Sequence, residues 1–277
     1  MNRTRILLRG ALPVVLLAWV FSFPLPKNIQ ACTLFGAAGS AVEGGGVLVG
    51  KTRDLPAEAE QILIRETTAS GYAYLGIASK KNSRITAGGN EKGLVILNAS
   101  ASSVAPRPRS HLPIENVLGR AASVEEALII FREEGMRSPI HYLLADPRHL
   151  ALLEVFNAER FETQKASDGI LVHTNHYIFP SLSGLNGKAG KSSAARLSRI
   201  QYLMNGPPFT ASQFLSFAQD HLNGPGDLSI CRHRSPPARS SGITVSAIVF
   251  LLQRGKPPQI WYRLGQPCEG PFKKAFF

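Results

Sequence analysis

The sequence predicts an α+β fold in layers, with a sheet core and helices outside it. Three observations carry that prediction. Apolar, β-branched runs of strand length lie near both ends, at Val47-Leu48-Val49-Gly50 and over Ile243–Leu252. Helix signals lie inside the chain: a capping box at Ser123-Val124-Glu125-Glu126 and an apolar stripe at Leu197-Ile200-Leu203. The resulting order is strands, a helix, strands, two helices, strands, which suits helices packed on a sheet core. No internal repeat or low-complexity tract divides the 277 residues, and that length buries a sizeable core.

The first 31 residues stand apart. Asn2 to Arg9 is basic, Ala11 to Phe23 is apolar, Pro24-Leu25-Pro26 breaks any helix, and Ala31 is a small residue at a possible cut. This is the pattern of a cleavable signal peptide over 1–31, leaving one mature domain over 32–277 that is periplasmic or secreted. Two other readings stay open. The apolar run can remain as an uncleaved anchor, although it is short for a membrane span. Alternatively Ile29-Gln30-Ala31-Cys32 acts as a lipoprotein box, with Cys32 lipidated on a non-catalytic, anchored binding protein. Lys27 and Asn28 separate that box from the apolar core, which weighs against it.

From Cys32 onward the elements follow in order. Thr33 to Gly39 alternates, Glu43-Gly44-Gly45-Gly46 turns, and Val47 to Gly50 returns, which reads as a hairpin. Strands are expected at Gln61–Glu66, Tyr72–Ala78 and Gly93–Asn98, with a turn over Gly89–Gly93. Ala99 to Arg109, rich in Ser, Ala and Pro, reads as a loop. The capping box starts a helix over Ala127–Phe131 that stops at Gly135. Ile140–Ala145 and Leu150–Phe156 form a second hairpin, and Ile170–Val172 runs into His173-Thr174-Asn175-His176. Helices follow over Ala194–Met204 and Ser212–Leu222, then strands over Ile243–Leu252 and Gln259–Leu264.

Charge and cysteine usage exclude several classes. The net charge is +12, and loss of Arg3, Arg5, Arg9 and Lys27 with the leader leaves four fewer cations, +8. The excess is spread out, with no dense run and no zinc-finger or RNP-like pattern, so no nucleic-acid partner is expected. A basic surface does suit anionic substrates. Three cysteines are too few for a disulfide framework, and Cys231 and Cys268 can either pair or stay buried. His173-x-x-His176 has no third ligand at a useful spacing, so no metal is expected there; no P-loop or dinucleotide glycine pattern calls for a cofactor.

Cys32 is the most informative residue. If the leader is cut before it, one residue carries both a thiol and a free α-amine, which titrates near pH 7.7–8.0 and can act as a base. A thiol beside a base is an activated nucleophile. Asp54 follows 22 residues later, and the hairpin brings it back beside the start of the first strand with Lys51 and Arg53. There a carboxylate can orient the amine, and the cations can hold the site's charges. Asn98 places an amide at the end of a buried-looking strand.

The ordered set of motifs resembles a known family. It comprises Cys32-Thr33 after a leader, Gly50-Lys51-Thr52-Arg53-Asp54, Gly89-Asn90-Glu91-Lys92-Gly93-Leu94 leading to Asn98, and His173-Thr174-Asn175-His176. Ser229-Ile230-Cys231-Arg232-His233, Thr244-Val245-Ser246 and Gly265-Gln266-Pro267-Cys268 complete it. These resemble the N-terminal-nucleophile (Ntn) hydrolases of the choloylglycine hydrolase, penicillin V acylase and acyl-coenzyme A:isopenicillin N acyltransferase group, peptidase family C45. The resemblance implies a four-layer αββα fold and cleavage of linear, non-peptide amide bonds in a small-molecule substrate. It implies Cys32 as nucleophile, its α-amine as base and Asp54 as the group that positions the amine. Asn175 is implied as oxyanion donor, with Asn98 or a nearby backbone N–H as the second, and Arg232 as the family's late arginine. Lys51, Arg53 and His176 are expected to face substrate. Thr52 stands where the group usually has Asn, and Lys51 where the bile-salt branch has an arginine; lysine keeps the charge but not the bidentate fork. Acyl group, amine, final acceptor and oligomeric state are not set by the sequence.

Overall fold

The computed structural model describes residues 31–67, 71–104, 112–187, 190–234 and 242–277. The expected leader therefore lies outside the described residues except for Ala31, as does part of the Ala99–Arg109 loop. The first half of the chain is strand-rich: β1 (Ala31–Ala38), β2 (Val47–Leu55), β3 (Gln61–Glu66), β4 (Tyr74–Ser79), β5 (Ile85–Asn90) and β6 (Val95–Ser100). Two short helices follow, α1 (Ile114–Leu118) and α2 (Val124–Ile130), then β7 (Ile140–Ala145), β8 (Leu150–Val155), β9 (Phe161–Ala166) and β10 (Gly169–His173). The rest comprises α3 (Pro180–Ser183), α4 (Lys191–Leu203), α5 (Ala211–Ala218), β11 (Ile243–Leu252), β12 (Gln259–Leu264) and β13 (Lys273–Ala275).

The strands form two sheets. One has six strands in the order β10-β1-β2-β11-β12-β13, the other seven in the order β3-β4-β5-β6-β7-β8-β9. Every pairing in both is antiparallel. Side chains alternate across a strand, so each central strand feeds two cores. Leu34, Val49, Leu97, Leu152 and Phe250 meet between the sheets. Ile96, Leu144 and Leu153 on the far side of the seven-stranded sheet pack on α1 and α2 through Val117, Leu118 and Leu128. Phe35, Leu48 and Val249 on the far side of the six-stranded sheet pack on α4 and α5 through Ile200, Phe214 and Phe217. The layers therefore run helix, sheet, sheet, helix, as the resemblance implied. No helix among the described residues is long and apolar enough to cross a membrane.

Two local features explain the close packing. Gly50 pairs with Phe35, and a Cβ on Gly50 would lie 2.4 Å from that ring, so only glycine lets Phe35 cross the strand. At the start of α2 the Ser123 side chain accepts from Glu126 N at 3.2 Å, as the capping box predicts, while the Glu126 carboxylate accepts from Ala122 N at 2.8 Å. The sequence reading missed β5, β9, β13 and α1 and carried the fifth helix past its end at Ala218. Gly89 and Asn90, the start of the expected turn over Gly89–Gly93, are strand instead, because Gly76 and Gly88 face each other closely: a Cβ on Gly76 would sit 2.9 Å from Gly88 Cα.

Candidate active site

Pairing of β1 with β2 sets Ala31 opposite Asp54, Cys32 opposite Arg53 and Leu34 opposite Lys51. Alternation then sorts the polar residues onto two faces. Cys32 joins the core between the sheets. Lys51 projects to the same side, where its Nζ donates to Thr86 O of β5 (2.8 Å) and Asn98 Oδ1 of β6 (3.2 Å). Arg53 turns to Gln61 of β3, donating from Nη1 at 2.6 Å. Asp54, one residue on, faces the helices instead.

On that helix face Asp54, Arg196 and Arg232 are buried. Arg196 of α4 donates through Nη1 to Cys32 O (2.5 Å) and Thr33 Oγ1 (2.9 Å), and through Nη2 to Asn175 Oδ1 (2.9 Å). The same Nη1 lies 4.0 Å from Asp54 Oδ2. Arg232 Nη1 approaches that oxygen to 3.6 Å, and Arg232 Nη2 donates to Asp227 Oδ1 at 3.0 Å. Asp54 Oδ1 accepts from the Thr244 hydroxyl at 2.7 Å, but Oδ2 has no hydrogen-bond partner. Burial pushes the Asp54 carboxyl above its ordinary range, against the pull of Arg232, Arg196 and the Thr244 hydroxyl. Burial likewise pushes Arg196 down, against the pull of Asp54.

Asn175 joins the two faces. Its Oδ1 accepts from Cys32 N at 3.0 Å as well as from Arg196, and its Nδ2 donates to Ser100 O at 2.8 Å. An amide nitrogen carries two hydrogens, so one N–H remains beyond the Ser100 bond. The loop bearing Asn175 is held on both sides. Buried His141 contacts Asn175 O through Nε2 at 3.2 Å. Glu154, also buried, binds His173 Nε2 (2.6 Å) and accepts from Ile178 N (2.6 Å) and Phe179 N (3.3 Å). Ser193 of α4 donates or accepts at Thr174, Asn175 N and His176. His176 therefore anchors the loop to α4 through a 2.8 Å contact from Nδ1 to Ser193 Oγ.

Cys32 lies within electrostatic reach of Lys51, Arg53 and Arg196. Burial pushes the Lys51 ammonium down from 10.5 to about 8, with the Cys32 thiol opposing the shift and Arg53 adding to it. A cleft of about 740 Å³ is lined by Arg53 and Thr86 together with Lys80, Lys81 and Arg84. Glu58 and Glu60 line it too, and Glu60 pairs with Lys80 at 2.6 Å.

Of the residues expected at the site, the fold gathers Cys32, Asp54, Asn175 and Arg232 round one strand end, with Lys51 and Asn98 adjoining on the inter-sheet face. Arg53 borders the cleft, and His176, one residue after Asn175 in the loop following β10, contacts Ser193 of α4. Arg196 was missed. Its surroundings, Ser-Ala-Ala-Arg-Leu, read as an ordinary amphipathic helix, and nothing local shows that its guanidinium is buried 21 residues past Asn175.

None of the curated protein sequences matches the chain. Among solved structures, the Caenorhabditis elegans N-acylethanolamine-hydrolyzing acid amidase ortholog is similar, with TM-score 0.54 and 16% identity over 79% of this chain and 92% of that one. A mutant conjugated bile acid hydrolase from Clostridium perfringens is similar with TM-score 0.55 and 14% identity, over 89% of this chain and 97% of its own. A second variant of that hydrolase gives TM-score 0.50 at 15% identity, over 88% and 97%. These neighbours are Ntn hydrolases of the choloylglycine hydrolase group, and at such identities the likeness is one of fold. The family profile of acyl-coenzyme A:6-aminopenicillanic acid acyl-transferase matches residues 42–269, most of the chain. The chain belongs to that acyl-transferase family, on an Ntn-hydrolase fold.

Proposed function

We propose that the mature protein is an N-terminal-cysteine amidohydrolase or acyltransferase, exported by its leader, that opens linear non-peptide C–N amide bonds in small molecules. The observation that carries this reading is the setting of Cys32. Its main-chain nitrogen rests on Asn175 Oδ1, and across the strand pair Asp54 holds a buried oxygen with no hydrogen-bond partner. A terminal ammonium at Cys32 supplies the donors such a carboxylate lacks. Ala31 and Cys32 are both buried and Ala31 is paired with Asp54, so a protease acting from solution must cut between them before the fold closes.

In this scheme the α-amine takes the thiol proton and the thiolate attacks the amide carbonyl carbon. The oxyanion is met by the remaining N–H of Asn175. Asn98 is the second donor, since Lys51 occupies its Oδ1 and leaves the NH₂ end for substrate. The C–N bond then breaks, the ammonium gives its proton to the leaving nitrogen, and a thioester remains on Cys32. Water or an acceptor amine attacks that thioester, releasing acid or a new amide and restoring the thiol. Arg196 and Arg232 position Asp54, and Arg53, Lys81 and Arg84, which line the cleft, suit an acyl amide carrying an anionic group.

Cys32→Ala tests the reading on a panel of acyl amides that includes N-acyl amino acids, bile-salt conjugates and penicillins. Turnover of whichever substrate the mature protein accepts should disappear while the circular dichroism spectrum stays unchanged. Retained turnover in the folded variant would rule the scheme out.

A further inference from the structure

Four ligand-bearing side chains converge away from the Cys32 cluster. His221 follows α5, Cys231 and His233 flank Arg232, and Cys268 lies in the turn after β12. The two imidazole Nε2 atoms are 2.8 Å apart. His233 Nε2 lies 3.4 Å from Cys268 Sγ and 3.9 Å from Cys231 Sγ, and the two sulfurs, both in free cysteines, are 3.4 Å apart. All four ligand atoms fall within 4.8 Å of one another. In a tetrahedral zinc site, metal–sulfur bonds of about 2.3 Å and metal–nitrogen bonds of about 2.0 Å place neighbouring ligand atoms roughly 3.3–3.8 Å apart. The observed distances straddle that range.

The donor set is also specific. Two thiols and two imidazoles with no carboxylate suit zinc and its transition-metal relatives and suit hard cations such as calcium poorly. We propose that His221, Cys231, His233 and Cys268 bind one zinc-type ion in a structural site. All four positions are protein ligands, so none is left for substrate or water. Binding releases the two thiol protons, so loading strengthens as pH rises. Ligation through His233 Nε2 puts that ring's proton on Nδ1. The Gln266 amide, now 3.0 Å away through Nε2, then has to turn so that its Oε1 accepts. No short sequence spacing reveals the site, because its ligands are spread over 221–268. Its ligands include both chain neighbours of Arg232, so an ion there fixes the backbone of the residue that faces Asp54.

The test uses the full chain, reduced, loaded with Zn²⁺ and desalted, with metal content read by mass spectrometry and Co²⁺ substituted in parallel. The expected result is one zinc per chain and a cobalt spectrum with a thiolate charge-transfer band, both lost in C231S/C268S. Should that variant fail to fold, His221→Ala, at a partly exposed position, must weaken retention and alter the band. No retained metal, a band that persists in the folded variant, or an intact mass showing Cys231 and Cys268 oxidised to a disulfide would each overturn the proposal.

Discussion

Lys51 is a charged group held where charge is costly. Its ammonium sits between the sheets on one carbonyl and one amide oxygen, and burial pulls it from 10.5 to about 8. That gap corresponds to about 3 kcal/mol. Because the folded value is below the unfolded one, the cost is fully present below about pH 8 and is relieved as pH climbs towards 10.5. Wild-type stability should therefore gain roughly 3 kcal/mol on Lys51→Met between those limits. Denaturant midpoints across pH 7–11 measure this, and parallel curves for the two proteins would refute it. Arg196 makes the opposite case, since it joins the chain ends of β1, the Asn175 amide and Asp54 in one buried cluster. Removing one partner of a buried ion pair typically costs about 3–5 kcal/mol. Arg196→Met should lose that much in urea unfolding, and part should return when Asp54→Asn is added. A loss under about 1 kcal/mol would show that Asp54 does not depend on it.

At the scale of elements, the readable signals were those set by local chemistry. The β1–β2 hairpin, the β7–β8 hairpin and the α2 start follow from alternation, turn residues and a cap, all contained in short windows. Ser123→Ala should cost about 1 kcal/mol, because it leaves the Glu126 N–H without its acceptor. An unchanged unfolding midpoint would place the helix start elsewhere. The elements that were missed depend on partners far along the chain. β5 is strand because Gly76 lies against Gly88, and α1 is tied down by Asn90, whose Nδ2 donates to Leu118 O and Ala121 O at 2.7 Å each. No composition rule sees either contact. The site divides in the same way. Cys32, Asp54 and Asn98 stand out as a thiol, a carboxylate and an amide at strand ends, and Asn175 through the motif resemblance, whereas Arg196 is visible only once α4 packs on β1.

For the molecule as a whole, the two sheets perform a sorting task. Alternation along β1 and β2 sends Cys32, Lys51 and Arg53 towards the space between the sheets and Asp54 towards the helices. The main-chain nitrogen of Cys32 is the point where both sets meet, through Asn175. That arrangement has a catalytic use only if the nitrogen belongs to a free amine. Ala31, buried opposite Asp54, occupies the place that cleavage would open. The most direct test is the mass of the N-terminal peptide of the exported protein. The account predicts a chain that begins at Cys32 with an unmodified α-amine and a free thiol. A chain that begins at any other residue, or a diacylglyceryl adduct on Cys32, would contradict it.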